Sequence, residues 1–192
     1  MNYLAHLHLA DVTQTSATGS LLGDFVKGQV ANLDYSDEIK QGIRLHRAVD
    51  TFTDNHPLIL KLKAELGAHR RYGGIILDVL FDHHLALNFS RLHSNSLAVF
   101  ARHIYRQIDF EDADYPERYR NVCRRMIHMN WLEGYTRIEN IERALVGISN
   151  RLSRPVDLAA SLTWHSQHRV EFEQTFLQFY VELQDFARQF VK

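Results

Sequence analysis

From Ser36 to Asp54 the apolar residues Ile39, Ile43 and Phe52 fall at helical spacings, and Ser36 stands where an N-cap belongs. Pro57 suits the first turn of a second helix, which reaches Leu66 and stops at Gly67. After Gly73-Gly74 comes IILDVLFDHHLALNF, an apolar helix interrupted by two acids. Further helices are predicted from about Ser94 to Ile108, Pro116 to Trp131, and Arg137 to Ile148. The last helix is predicted to start near Pro155 and run almost to the end. Along it Leu162, Phe172, Phe176, Phe179, Leu183, Phe186 and Phe190 recur at mostly three- and four-residue intervals. Such a stripe belongs to a core, or to a contact between two copies in a homo-oligomer, far more often than to a cofactor box. No run alternates polar and apolar residues long enough to argue for a sheet, and no repeat or linker divides the chain. The prediction is one all-α domain over residues 1–192.

Composition supports this reading and narrows the function classes. Three prolines and nine glycines leave long uninterrupted stretches, and 45% hydrophobic with 23% charged residues is ordinary for a globular domain. The single cysteine, Cys123, cannot form an internal disulfide, so the fold does not depend on an oxidising compartment. The start MNYLAHLHLADVTQ lacks the basic beginning and small-residue cleavage site of a signal peptide. No apolar run approaches the roughly 18 residues that cross a bilayer, so a cytoplasmic protein with no membrane partner is expected. A net charge of −1 predicts no nucleic-acid partner. The twelve histidines are more informative, since histidine is the commonest metal ligand, and two or three are expected to be functional.

Candidate chemistry gathers in the first half of the chain. Asp78 and Asp82 are four residues apart, about 40° of helix rotation, so both carboxylates project from one face. Their neighbours are almost all apolar, and a cation would relieve the cost of burying two repelling acids. His46 and Asp50 are also four apart, with Asp54 continuing the face; such a pair can share a metal, or the acid can orient the imidazole. Arg47 between them could clamp a phosphate, with a salt bridge to Asp50 as the bland alternative. Asp24 is the one acid in GSLLGDFVKG, whose glycines allow close backbone approach. His6 and His8 face one way on a strand but diverge by about 200° on a helix, where only one of them can enter a given site. A donor set rich in carboxylate, with histidine and without thiolate, suits Mn²⁺ or Mg²⁺ better than a structural zinc. Metal-assisted phosphoester hydrolysis is the chemistry these residues point to.

Four segments add a family resemblance. MNYLAHLHLA, GSLLGDFVKG, GIRLHRAVDTFTDNHP and ILDVLFDHHL, which together span residues 1 to about 87, resemble in order and interval the motifs of acyl carrier protein phosphodiesterase. The resemblance implies a helical relative of the HD-domain phosphohydrolases, with a divalent cation, typically Mn²⁺. The implied reaction cleaves the phosphodiester between phosphopantetheine and a serine of holo acyl carrier protein, releasing apo carrier protein and 4′-phosphopantetheine. The namesake His-Asp dipeptide is absent, because no histidine here is directly followed by aspartate. The candidate ligands are therefore Asp24, His46, Asp78 and Asp82, with His6 and Asp50 next and Arg47 on the phosphate. Carrier proteins of this kind are implied to be acidic, and Lys27, Arg44, Arg47, Arg70 and Arg71 are the candidate docking charges. A nucleotide phosphohydrolase of the same superfamily and a non-catalytic helical binding module are the competing readings.

Overall fold

Local signals set several helix starts. A computed structural model describes residues 1–192 as twelve α-helices and two 3₁₀ turns, Val30–Asn32 and Gly67–Tyr72, with no strand. The helices are α1 Tyr3–Thr13, α2 Ala17–Leu22, α3 Asp37–Asn55, α4 Pro57–Glu65, α5 Gly73–Leu87 and α6 Phe89–Leu92. They continue with α7 Leu97–Gln107, α8 Glu117–His128, α9 Trp131–Gly134, α10 Ile138–Ser149, α11 Ser161–Gln167 and α12 Arg169–Phe190. Ser36 caps α3 by accepting the Ile39 N–H at 3.3 Å, and Ser16 caps α2 by accepting from Gly19 at 3.0 Å. Pro57 begins α4, and Gly67, with φ +55°, lies just beyond its end. No helix is long and apolar enough to cross a membrane.

The chain winds its elements around α1, which packs against α2, α3, α5 and α12 and buries every residue from Leu4 to Ala10. A single continuous apolar core joins all the long helices. Phe81 of α5 sits within 5.5–5.6 Å, ring to ring, of Phe172, Phe176 and Phe179, so this part of the predicted stripe is core, whereas Phe190 at its end is exposed. Helices α2 and α3 approach backbone to backbone. A Cβ on Gly42 would lie 2.7 Å from the Ser16 carbonyl oxygen and 2.9 Å from Gly19 Cα, so only glycine lets the two backbones meet.

Three predicted helix limits are corrected. Helix does not begin near Pro155: residues 151–158 are irregular, and the Leu158 N–H donates to Ser149 Oγ at the end of α10. The final helix is also broken, because His168 leaves the helical region (φ −115°, ψ 21°) and separates α11 from α12. The segment around Trp131 likewise leaves α8, since Asn130 takes the left-handed conformation that starts α9.

Several core histidines are held neutral. Burial is the main cause in each case: it pushes His8 down to about 3, and it lowers His84 and His165, whose Nε2 atoms share a proton across 2.8 Å. Unfolding returns these imidazoles to their ordinary value near 6.5, so below that pH the unfolded chain binds more protons and stability falls. Asp82, pushed up by burial to about 7, takes up a proton in the native state and offsets one of the three. The unfolding free energy should therefore fall by at least about 1.4 kcal/mol per pH unit between pH 6.5 and 5. Urea titrations across that window measure it, and a flat profile would contradict neutral burial.

Candidate active site

Asp50 on α3 is the acid around which the candidate residues gather. Its Oδ1 lies 3.2 Å from His6 Nε2, delivered by α1, and its Oδ2 lies 3.1 Å from His46 Nε2, one turn earlier on α3. Asp24, from the turn after α2, places Oδ1 3.4 Å from the same His46 nitrogen. The two imidazoles stack with centroids 3.8 Å apart and planes 13° from parallel. One ligand atom from each of His6, His46 and Asp50 falls within 4.8 Å of the others, so these three residues can hold a metal ion. His8, two residues beyond His6, points the opposite way and hydrogen-bonds Tyr180 at 2.8 Å, as a helical α1 requires.

The protonation pattern follows from the neighbours. His46 Nδ1 is 2.6 Å from the Ser20 carbonyl, which only accepts, so Nδ1 carries the proton and Nε2 faces Asp24 and Asp50. Burial opposes charge on His46, but the hydrogen bonds and charges of Asp24 and Asp50 outweigh it and raise its pKa to about 9. His6 goes the other way: burial, aided by the charge of His46, lowers it to about 4 despite the nearby Asp50. Its buried Nε2 is close to Asp50 but not in hydrogen-bonding alignment, and has no other partner. Burial would raise Asp50, yet His46, His6 and the Met1 ammonium hold its carboxyl far below the usual range.

Gly23 makes room for this arrangement. A Cβ there would lie 2.2 Å from His46 Cγ and 2.4 Å from Cδ2, so any side chain displaces either the imidazole or the turn carrying Asp24. Gly23→Ala should lower kcat/KM by about 10²-fold, the usual cost of moving a reacting group by an ångström. Steady-state kinetics test this, and near wild-type turnover would show that His46 and Asp24 need not be aligned.

Three sequence candidates have different surroundings. The Arg47 guanidinium donates to the carbonyls of Gly28 at 2.6 Å and Val26 at 2.9 Å, so it pins the Asp24 turn and is not free to clamp a phosphate. Asp78 pairs with the Met1 ammonium at 2.9 Å, an ammonium that also reaches Asp50 at 3.3 Å. Asp82 is fully buried and accepts the N–H groups of Leu4 at 2.8 Å and Ala5 at 3.0 Å, capping α1 from another helix. Both acids thus face the start of α1, as their four-residue spacing requires, but neither stands within the His6–His46–Asp50 cluster. Asp82→Asn keeps one acceptor, loses the charge and strands a buried amide. It should cost about 2–4 kcal/mol of unfolding free energy at pH 8. A urea midpoint equal to wild type would exclude the capping role. Asp54 is tied to Lys63 at 2.8 Å.

Fold and site together define an all-helical protein with a histidine–carboxylate cluster at a helix junction. A family model described as acyl carrier protein phosphodiesterase matches residues 1–183. Relatives of that name share 37% identity over 182 residues in Photorhabdus laumondii (94% of this chain, 91% of the relative) and 40% over 182 residues in Yersinia enterocolitica (94% of each). A third, from Serratia proteamaculans, shares 37% over 190 residues, 98% of each chain. The chain belongs to the acyl carrier protein phosphodiesterase family. No solved structure matches it.

Proposed function

We propose that the protein hydrolyses the phosphodiester between 4′-phosphopantetheine and the serine of holo acyl carrier protein, using Mn²⁺ or Mg²⁺ held by His6, His46 and Asp50. The cluster itself carries this reading: two imidazoles and a carboxylate converge on one point. His6 Nε2 is buried there without a partner, and the Ser20 carbonyl holds His46 in the tautomer that presents Nε2 as a ligand. A cation there would also offset Asp24, Asp50 and Asp78, which the Met1 ammonium and the His46 imidazolium balance only in part. A cavity of about 520 Å³, lined by Lys61, Glu65, Trp164 and His168, lies away from these residues.

A divalent ion held by His6, His46 and Asp50 would supply Lewis acidity, polarising a phosphoryl oxygen and acidifying a water. The chain's own residues prepare that step. Asp50 stands beside both imidazoles, and the Ser20 carbonyl orients the one on α3. Asp24 is half-exposed at the mouth and held ionised by His46 against the opposing effect of burial, so it can accept a hydrogen bond from the attacking water. The water oxygen joins phosphorus and gives up a proton, the bond from phosphorus to the serine oxygen breaks, and the serine oxygen takes up one proton in exchange. Incubating the purified protein with holo carrier protein and Mn²⁺ should reduce the carrier's mass by one phosphopantetheine. An unchanged mass, with turnover of a small nucleotide in its place, would replace this reading with a nucleotide phosphohydrolase.

A further inference from the structure

Most arginines of this protein have no acid partner; Arg188 is the only one in an ion pair. They are concentrated on α8, ERYRNVCRRMIH, which carries four arginines against one glutamate. Tyr119, Cys123 and Met126 turn one side of α8 into the core. Arg118 and Arg125, seven residues apart, share a flank beside that buried side, with half-buried Val122 between them. Their separation along the axis is about 10 Å.

This flank is joined to the candidate site at both ends. Arg118 Cζ lies over the Phe25 ring at 5.8 Å, and Phe25 follows Asp24 in the turn that faces His46. Arg125 Cζ lies over Trp131 at 6.0 Å, and Trp131 stacks on Tyr3 with centroids 6.0 Å apart. Tyr3 opens α1 one turn before His6. Burial pushes the Tyr3 phenol up to about 12, Asp24 acts in the same direction, and Arg118 acts against it, so Arg118 lies within electrostatic reach of Tyr3.

We propose that the Arg118–Arg125 flank of α8, with Phe25 and Trp131, is the docking face for an acidic patch of the carrier protein beside its modified serine. The inference rests on the function proposed above and names the surface that selects the substrate. One phosphodiester spans far less than 10 Å and carries one charge, so two unpaired arginines at this distance fit an acidic protein face and exceed what the scissile group needs. A long nucleic-acid backbone fits less well, because Glu111, Asp112 and Asp114 lie immediately before α8 and would oppose it. Stacking each guanidinium on an aromatic ring limits the side-chain entropy lost when it meets a carboxylate. The docking charges expected near the motifs did not include α8, and Arg47 among them is occupied by backbone carbonyls.

The test is calorimetric binding of apo and holo carrier protein at about 0.05 M salt, where exposed charges are weakly screened. The double reversal Arg118→Glu with Arg125→Glu should raise Kd for both forms at least about tenfold and flatten the dependence of log Kd on salt. In turnover the change should appear in KM. Arg188→Glu, whose charge reaches His8 on the opposite side of α1, should bind as wild type. Arg118→Lys with Arg125→Lys keeps the charges and should restore most of the affinity. A double reversal with wild-type Kd overturns the proposal, as does a lysine pair that binds as poorly as the glutamate pair. A wild type that binds carrier protein yet releases no phosphopantetheine overturns the hydrolase reading and leaves the docking face standing.

Discussion

Replacing Asp50 with asparagine is expected to lower kcat/KM on holo carrier protein by at least about 10³-fold, about 4 kcal/mol of transition-state stabilisation. No other side chain touches as much of the cluster. One oxygen faces His6 and the Met1 ammonium, and the other faces His46. Asparagine keeps the volume and one oxygen but removes the charge, and its amide presents hydrogens toward a nitrogen whose lone pair is needed for an ion. His46 loses one of the two acids that hold it near 9 and retains only Asp24. Asp50 keeps 38% of its side-chain exposure, so the variant should remain folded and the loss should appear in turnover. Asp78→Asn, in contrast, disturbs an ion pair with Met1 outside the cluster, and its effect on turnover should be smaller. Rates of phosphopantetheine release, read beside thermal unfolding curves, distinguish the two. An Asp50→Asn protein that keeps more than about a tenth of wild-type kcat/KM would remove Asp50 from the centre.

The parts of this arrangement that are local in sequence could be read from it. Ser36, Pro57 and Gly67 mark the ends of α3 and α4 because caps, proline and positive φ act within a turn of themselves. His46 and Asp50 share a face for the same reason, and a helical α1 settles which of His6 and His8 enters the site. Asp24 was visible as a lone acid among glycines, although the need for Gly23 to clear the His46 ring appears only when two segments meet. What the sequence did not show depends on partners distant along the chain. Asp82 accepts hydrogen bonds from residues 77 and 78 positions away, so its spacing from Asp78 revealed a shared face but not a cap for α1. The engagement of Arg47 depends on how the Val26–Gly28 turn folds back, and a pattern of residue types does not encode that. Six-residue α2 carries Gly19 in mid-helix, a poor helix former retained for the contact with α3, and so it gave no periodic signal. The flank of α8 gains meaning from Phe25 and Trp131, which come from other elements.

Removal of divalent metal is expected to abolish turnover completely. Without an ion the site holds Asp24, Asp50 and the neighbouring Asp78 against only the His46 imidazolium and the Met1 ammonium, with His6 neutral beside them. Such a site offers no polarised water and no field to offset the charge of a phosphodiester. A protonated His46 can neutralise a carboxylate but has no lone pair to lend, so an ion must displace that proton before it binds. Mn²⁺ or Mg²⁺ added back should restore the rate in wild type. With His46→Asn, which preserves polarity but lacks the imidazole donor, restoration should require a much higher metal concentration. The most direct measurement is phosphopantetheine release from holo carrier protein by enzyme whose metal content has been brought to zero and verified by elemental analysis, before and after Mn²⁺ is returned. The account predicts no release before and full release after; full release from the verified metal-free protein would contradict it.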